Sequence, residues 1–401
     1  MKKYLQLFRA LIILLIMTAG IAGCDDDSGP SLTGDNTVHT LGPKSDPGID
    51  GNVTFSRQSD NSVLITIQLN GTQAGGDHPA HIHADNAIDG GTILLDLSNV
   101  EGASGRSETV VTALNDGTPI SYEELIDFDG YVNVHASTSD LGTLIAQGDI
   151  GQNALTDLSK TYVLNPVSDP SISGTVKFEE RLNGEGVATV TLDGTTAGNS
   201  HPAHIHFNSA AEGGGIAIDF NAIDGETGIG RTNITQLRDG TPITYSDLLE
   251  FDGYVNVHLS GDDLGTLVAQ GDIGGNELTG ELTEYALGPV SDPGISGTAT
   301  FAERVNGFTL VTVALAGTTE GNSHPSHIHN NSAAEGGGIA VDFNPIDGGT
   351  GMSRTNIRAL NDETPITYAE LLEFDGYVNV HLSSDNLGTL VAQGNIGSNV
   401  E

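Results

Sequence analysis

The feature that most constrains this chain is a long internal repeat. The segment HPAHIH occurs at residues 78–83 and 201–206, and HPSHIH occurs at 324–329, so successive occurrences lie 123 residues apart. The segment YVNVH recurs at the same interval and ends at His135, His258 and His381. Repeats that must stack on neighbours to bury a core are about 20 to 50 residues long. The longer period therefore predicts that each repeat is a whole domain.

We predict three tandem domains of one kind. The leading segments LGPKSDP, LNPVSDP and LGPVSDP begin at Leu41, Leu164 and Leu287, again at the same interval. They place the predicted domains at residues 32–154, 155–277 and 278–401, which we call copy 1, copy 2 and copy 3.

The apolar pattern within a copy has a period of two residues. Val63, Ile65, Ile67 and Leu69 alternate with more polar positions, and Gly, Asp, Asn and Pro separate further runs of this kind. Such alternation is typical of strands with one buried face. Seven or eight short strands in each copy predict an all-β protein: three tandem antiparallel Greek-key-like β-sandwich domains.

One segment of each copy has a helical pattern instead. In residues 118–130, Ser121 and Glu124 form a capping-box pair ahead of apolar Leu125, and we expect a short helix that ends at Gly130. Thr244 with Asp247, and Thr367 with Glu370, repeat the pair.

The first residues have the pattern of an export signal. Lys2, Lys3 and Arg9 precede the apolar run 10–17, which is shorter than the roughly 20 residues needed to span a bilayer. Small residues then lead to Cys24, and this arrangement resembles the lipobox of bacterial lipoproteins. The resemblance implies a signal peptide over residues 1–23, a diacylated Cys24 and an acidic tether over 24–31. An ordinary signal peptide is the alternative.

Lipidation would anchor the exported protein in the bacterial cell envelope, at the outer membrane or cell surface. The sequence leaves the leaflet open. Cys24 is the single cysteine, so neither an intrachain disulfide framework nor a cysteine zinc site is available.

The charge of the chain excludes one large class of partners. It has 14 Lys+Arg against 53 Asp+Glu, a formal net charge of -39, so a phosphate backbone would repel it. Nucleic-acid binding is excluded on this ground. The carboxylates suit salty or calcium-bearing surroundings, and specific calcium sites stay open.

The order of motifs resembles the chordin-type (CHRD) domain family. In copy 1 the resembling elements are HPAHIH at 78–83, GYVNVH at 130–135 and GTLIAQ at 142–147, and copies 2 and 3 repeat them. The family's usual GEIRGQ strand carries Glu and Arg that are absent here, so contacts made by those residues are not carried over. The resemblance implies an exported binding module and no established reaction for bacterial members.

The histidines are concentrated in the repeats, four to each copy. If Ile82 and the valines of YVNVH face the core, alternation places His81, His83 and His135 together on the outer face. Three neutral imidazoles suit copper or zinc. The predicted metal ligands are His81, His83, His135, His204, His206, His258, His327, His329 and His381. The alternative is structural: the histidines form hydrogen bonds that hold loop ends, with Tyr131 and Asn133 as partners.

The arrangement has a weaker resemblance to the copper face of Cu/Zn superoxide dismutases, where HxH and VH strands supply ligands from outside a Greek-key sandwich. The zinc loop and the cysteine pair are missing here. Arg231 and Arg354 correspond to Glu108 in copy 1, so the arginine does not keep its position in every copy. Superoxide turnover is not expected.

Two functions follow from these patterns. The favoured one is a non-catalytic, envelope-anchored array that binds an unknown protein, glycan or ion through three modules. The alternative is a metal-binding protein that uses the histidine face for metal storage or for redox chemistry. No G-x-S-x-G segment is present, and nothing else in the sequence indicates an enzyme.

We expect the mature protein to begin at a lipidated Cys24 and to partition into detergent, because the lipid supplies the apolar anchor. Intact mass of the N-terminal peptide from envelope preparations tests this. A free thiol at Cys24, or an N-terminus elsewhere, would contradict it.

Overall fold

A computed structural model describes residues 29–400 of the chain. Of these residues, 57% are in strands and 5% are helical, which confirms the predicted all-β fold. Among residues 29–400, every helix is too short to span a bilayer.

Copy 1 is an antiparallel barrel of eight strands. The strands are β1 (Leu32–Pro43), β2 (Gly51–Gln58), β3 (Val63–Leu69), β4 (Asp77–Ala84), β5 (Ile93–Glu101), β6 (Arg106–Val111), β7 (Gly130–Ser137) and β8 (Asp140–Ile150). Their spatial order is β1-β2-β3-β6-β5-β4-β7-β8, in which β3 to β4 and β6 to β7 are the Greek-key connections. Pairing of Gly42 with Gln147 joins β1 to β8 and closes the barrel.

Copies 2 and 3 repeat this order with β4 and β5 each divided in two. The strands of copy 2 are β9 (Leu155–Pro166), β10 (Ser173–Arg181), β11 (Gly186–Asp193), β12 (Ser200–His201), β13 (Ala203–Phe207), β14 (Ile216–Asp219), β15 (Ile223–Asp224), β16 (Ile229–Ile234), β17 (Asp252–Ser260) and β18 (Asp263–Gly274). Those of copy 3 are β19 (Leu278–Pro289), β20 (Ser296–Arg304), β21 (Thr309–Ala316), β22 (Ser323–His324), β23 (Ser326–Asn330), β24 (Ile339–Asp342), β25 (Ile346–Asp347), β26 (Met352–Ile357), β27 (Asp375–Ser383) and β28 (Asn386–Gly397).

Each copy contains an apolar core of its own. The three clusters of buried residues run from Leu41 to Ile150, from Tyr162 to Ile273 and from Tyr285 to Ile396, and none shares a residue with another. The alternating residues Val63, Ile65, Ile67 and Leu69 all face the first core. Burial on one face of each strand is therefore what the period-two pattern encodes.

One short helix precedes the YVNVH strand of each copy, as predicted. The helices are α1 (Tyr122–Ile126), α2 (Tyr245–Glu250) and α3 (Tyr368–Leu372). All three have the capping box, in which Ser121 accepts from the Glu124 N–H and Glu124 accepts from the Ser121 N–H. The predicted end at Gly130 is wrong, because α1 stops at Ile126 and Gly130 already belongs to β7.

A buried arginine joins each copy to the one before it. Arg181 of copy 2 is fully buried and its Nη1 donates to Asp149 of copy 1 at 2.9 Å, and also to the Asn153 carbonyl. Arg304 of copy 3 donates in the same way to Asp272 at 2.9 Å and to the Asn276 carbonyl of copy 2. We call each Arg–Asp pair a junction latch.

The two ends of the array have neutral residues at the latch positions. Gln58 of copy 1 stands where the later copies have arginine, and Asn395 of copy 3 stands where the earlier copies have aspartate. The Asn395 amide donates to the Asn399 carbonyl, the bond that an arginine makes at the two junctions. Neither end therefore buries a charge that lacks a partner.

We expect Asp272→Asn to destabilise the protein by about 3–5 kcal/mol, because it leaves the buried Arg304 charge without its counter-ion. Asp272→Asn with Arg304→Gln should recover most of this loss, since the double variant buries no charge and has at each position the neutral residue that one end of the array has there. Calorimetric and urea unfolding measure both.

The exposed pair Arg106–Glu108 supplies the control. Glu108→Gln should change stability by about 1 kcal/mol or less, as is usual for surface pairs. A wild-type unfolding profile for Asp272→Asn would show that the latch does not hold the junction.

Candidate metal centre

The histidine pair of each copy lies on a strand that is the neighbour of the YVNVH strand. In copy 1, β4 pairs with β7 so that Ile82 faces Val132 and His83 faces Tyr131. Ile82 and Val132 are buried in the core. Because successive side chains point to opposite faces, His81 and His83 lie on the other side of the sheet. The same register recurs in copies 2 and 3.

The structure brings together three of the sequence-predicted histidines in every copy. One ring nitrogen from each lies within 4.8 Å of the other two. We call these clusters the His triads: His81, His83 and His135; His204, His206 and His258; His327, His329 and His381.

The triads are less open to solvent than an outward-facing cluster would be. His83 is 8% exposed and His135 is 7% exposed. The physical reason is that the loop after β4 and the β7–β8 hairpin each fold over an imidazole and supply a carbonyl to it. The triad thus lies on the outer face of the sheet but under two loops.

These two carbonyls fix the tautomers. His83 Nδ1 lies 3.0 Å from the Gly91 oxygen, and His135 Nδ1 lies 2.7 Å from the Leu141 oxygen. A carbonyl only accepts, so Nδ1 carries the proton and Nε2 keeps its lone pair. The contacts recur for His206, His258, His329 and His381, with Gly214, Leu264, Gly337 and Leu387 as the acceptors.

In the first histidine of each triad, an aspartate carboxylate near Nε2, rather than a carbonyl near Nδ1, orients the ring. His81 Nε2 lies 3.7 Å from the Asp96 carboxylate, and the equivalent distances are 3.8 Å for His204 with Asp219 and 3.5 Å for His327 with Asp342. Nδ1 is then the nitrogen that points into the cluster. Carboxylates in this position orient metal-binding imidazoles in many proteins.

The nitrogens that face the centre of the triad lack hydrogen-bond partners in copy 3. In copy 3, His327 Nδ1, His329 Nε2 and His381 Nε2 are all buried, and none has a hydrogen-bond partner among residues 29–400. A buried polar atom left this way costs about 1–3 kcal/mol. Three such atoms that face one another fit a site in which a cation accepts all three lone pairs.

In copies 1 and 2 two of these nitrogens are close enough to share a proton. His81 Nδ1 lies 3.1 Å from His135 Nε2, and His204 Nδ1 lies 3.1 Å from His258 Nε2. Binding of a metal would displace that proton.

The electrostatics favour the uncharged imidazole. Burial lowers the pKa of His81, and the neighbouring ring of His135 lowers it further, although Asp96 partly opposes the change. Burial also lowers the pKa of His135. The same directions hold for His204, His258, His327 and His381. These six rings are thus neutral at pH 7, the form in which imidazole binds metals.

The carboxylate beside the triad has a different partner in copy 2. Asn115 donates to Asp96 in copy 1 at 3.1 Å, and Asn361 donates to Asp342 in copy 3 at 3.0 Å. At the equivalent position Arg238 pairs with Asp219 at 3.2 Å. The second triad is therefore surrounded by less negative charge than the other two.

The fourth histidine of each copy does not join the triad. His201 is 1% exposed, and its Nδ1 lies 3.1 Å from the carbonyl of His258. His324 and His78 make the same contact with His381 and His135. These residues therefore hold the backbone of the third triad member.

The structure also assigns places to the expected structural partners. Tyr131 stacks on His83 with ring centroids 4.8 Å apart, and its hydroxyl accepts from the Gly91 N–H. Asn133 lies 3.4 Å from His83 Nε2 and accepts from Gln147. The acceptor carbonyls were missed in the sequence, because a backbone oxygen has no residue signature. The predicted lipidation site Cys24 lies outside the described residues.

We expect the metal-free protein to lose stability as the pH falls below 6.5. Its unfolded chain takes up protons near that value, whereas the triad rings with lowered pKa values resist protonation until a lower pH. Unfolded chains therefore bind more protons than folded ones in this window. The free energy of unfolding consequently decreases as the pH is lowered. Above pH 6.5 this contribution is constant. Urea unfolding between pH 7.5 and 5.5 in EDTA measures the slope.

A variant with all three histidines of copy 2 changed to glutamine should show a shallower slope. A free energy of unfolding that does not change over this range in the parent protein would contradict the lowered pKa values.

Comparisons with known proteins do not identify this chain. No family model matches it, and no curated protein matches it. Among solved structures it is similar to one titled "Biofilm associated protein - BSP domain", at 11% identity over 94% of this chain and 84% of that chain, with a TM-score of 0.14. A TM-score this low carries no argument about function. The resemblance to the chordin-type domain stays a prediction.

Proposed function

We propose that this protein binds copper or zinc, with one ion in each His triad. The observation that carries the proposal is the convergence of three imidazole lone pairs, which in copy 3 are buried and without a hydrogen-bond partner among the described residues. In His329 and His381 a hydrogen bond from Nδ1 to a carbonyl leaves the Nε2 lone pair free for a cation, and in His327 the Asp342 carboxylate lies beside the opposite nitrogen.

The donor set selects the class of metal. Three neutral nitrogen ligands suit copper and zinc, whereas calcium takes six to eight oxygen ligands. A coordination position would stay open for water or a fourth ligand. Bound copper would supply one-electron redox chemistry, and bound zinc a Lewis acid. His81 Nδ1, His83 Nε2 and His135 Nε2 would hold the ion in copy 1.

The presence of three equivalent sites favours metal storage over enzymatic catalysis. Repetition triples the number of ions that one chain carries but does not change the rate at a single site. The loops that cover His83 and His135 also restrict access to the ion. We therefore place storage or buffering of a metal ahead of an enzymatic role.

The second candidate is a binding array in which three modules act on one partner. The observation that favours it is the presence of two junction latches, because these buried ion pairs hold each copy in a fixed position relative to the next. Linked modules gain avidity when their geometry matches the partner. A protein or glycan at the envelope surface is the expected class of ligand.

Both functions fit an exported, lipid-anchored protein. The basic residues, apolar run and single cysteine at the start of the chain support this location. Metal in the envelope would then be bound outside the inner membrane.

We expect the metal-free mature protein to bind three equivalents of Cu(II) or Zn(II), with dissociation constants below micromolar. Affinity should fall as the pH drops below 6, since protons compete for the same nitrogens. His206→Ala with His258→Ala should reduce the stoichiometry to two, because both remove a ligand of the second triad. Calorimetric titration and elemental analysis measure this.

His39→Tyr is the matched control, because copies 2 and 3 have Tyr162 and Tyr285 at the equivalent position. It removes a histidine outside the triads and should keep three sites. Binding no tighter than micromolar, or an unchanged stoichiometry in the triad variant, would overturn the metal proposal.

A further inference from the structure

Two clefts lie where one copy meets the next. The cleft between copies 1 and 2 has a volume of about 440 Å³, and the cleft between copies 2 and 3 has a volume of about 420 Å³. Their walls contain equivalent residues. Gln147, Asp149 and Arg231 line the first, and Gln270, Asp272 and Arg354 line the second. We call them the junction clefts.

Each cleft arginine lacks a counter-ion. Apart from Lys44, Arg231 and Arg354, every Lys and Arg within residues 29–400 pairs with a carboxylate within 4.0 Å. Both cleft arginines are exposed. In so acidic a chain, two cations without acidic partners at equivalent positions require an explanation.

The carboxylate that is present at the same position in both clefts is already engaged on both oxygens. Asp149 accepts from the Ala87 N–H at 2.7 Å through Oδ1 and from Arg181 at 2.9 Å through Oδ2. Asp272 accepts from Ala210 and Arg304 in the same way. The guanidinium groups of Arg231 and Arg354 are therefore left for an anion from outside.

Copy 1 supplies an internal comparison. Glu108 occupies the position of Arg231 and Arg354, opposite a threonine of the neighbouring strand in all three copies. Within residues 29–400 copy 1 is the first copy, so no junction precedes it there. The cationic residue thus occurs only where a cleft exists.

We infer that each junction cleft binds a small ligand with one carboxylate or sulfate group on a sugar-sized body. Guanidinium pairs with such oxyanions through two parallel hydrogen bonds. The volumes fall in the range of about 300–1,000 Å³ typical of small-molecule sites. Leu310 and Met352 give the second cleft an apolar wall. The net charge of the chain opposes polyanions, so a ligand with a single charge is favoured.

The two clefts should differ in affinity. Exposed Asp157 lines the first cleft and adds a negative charge, whereas Asp272, which is paired with Arg304, is the one acidic residue that lines the second. The second cleft should therefore bind the anion more tightly.

Titration of the full chain in detergent and EDTA with glucuronate, glucose 6-sulfate and glucose tests this inference, and EDTA removes metal as a competing anion site. We expect two sites for one or both anions and none for glucose. Arg354→Glu should remove the tighter site, and the further change Arg231→Glu should remove the other, each with at least a tenfold loss of affinity. Both variants should fold, because copy 1 already has glutamate at this position.

Lys44→Glu changes the charge equally outside the clefts and should alter affinity less than twofold. The relative affinities of glucuronate and the sulfate ester identify the group that is recognised. Absence of binding at millimolar concentration, two sites retained in the double variant, or an equal loss in Lys44→Glu would overturn the inference.

Discussion

The register between β4 and β7 is the constraint on which the rest of each copy depends. Pairing of Ile82 with Val132 places both in the core, and strict alternation then places His81 and His83 on the opposite face. A shift of one residue would bury the imidazoles and expose the aliphatic side chains. The free energy gained from burying the aliphatic residues therefore also keeps the triad assembled, without any contribution from a bound ion.

Much of the fold could be predicted from the sequence, because the signals were local or periodic. Alternation of Val63, Ile65 and Ile67 predicted a strand with one buried face, and the pair Ser121 and Glu124 predicted the start of a helix. The predicted end of that helix was wrong, because Gly130 is the first residue of a strand. Closure of copy 1 into a barrel depends on pairing between its first and last strands, which no local pattern reports.

The candidate site also has parts that the sequence predicted and parts that it did not. The spacing of His81 and His83 and the valines of YVNVH predicted a shared face. The carbonyls that fix the tautomers come from Gly91 and Leu141, whose side chains have no part in the contact. Burial of the triad under these loops was likewise not predicted. The junction latches were not predicted, because each pair joins residues of two different copies. The sequence does show that the latch residues are charged at the junctions and neutral at the two ends of the array.

The neutral residues at the two ends of the array bear on how such a chain can grow. Copy 2 carries both halves of a latch, the arginine that faces backward and the aspartate that faces forward. A duplication of this copy within the gene would therefore insert without leaving a buried charge unmatched. A copy appended after Asn395, or placed before Gln58, would meet an amide instead of its counter-ion. The first and last copies therefore limit the number of copies in the array. That number increases most easily by duplication of the middle copy.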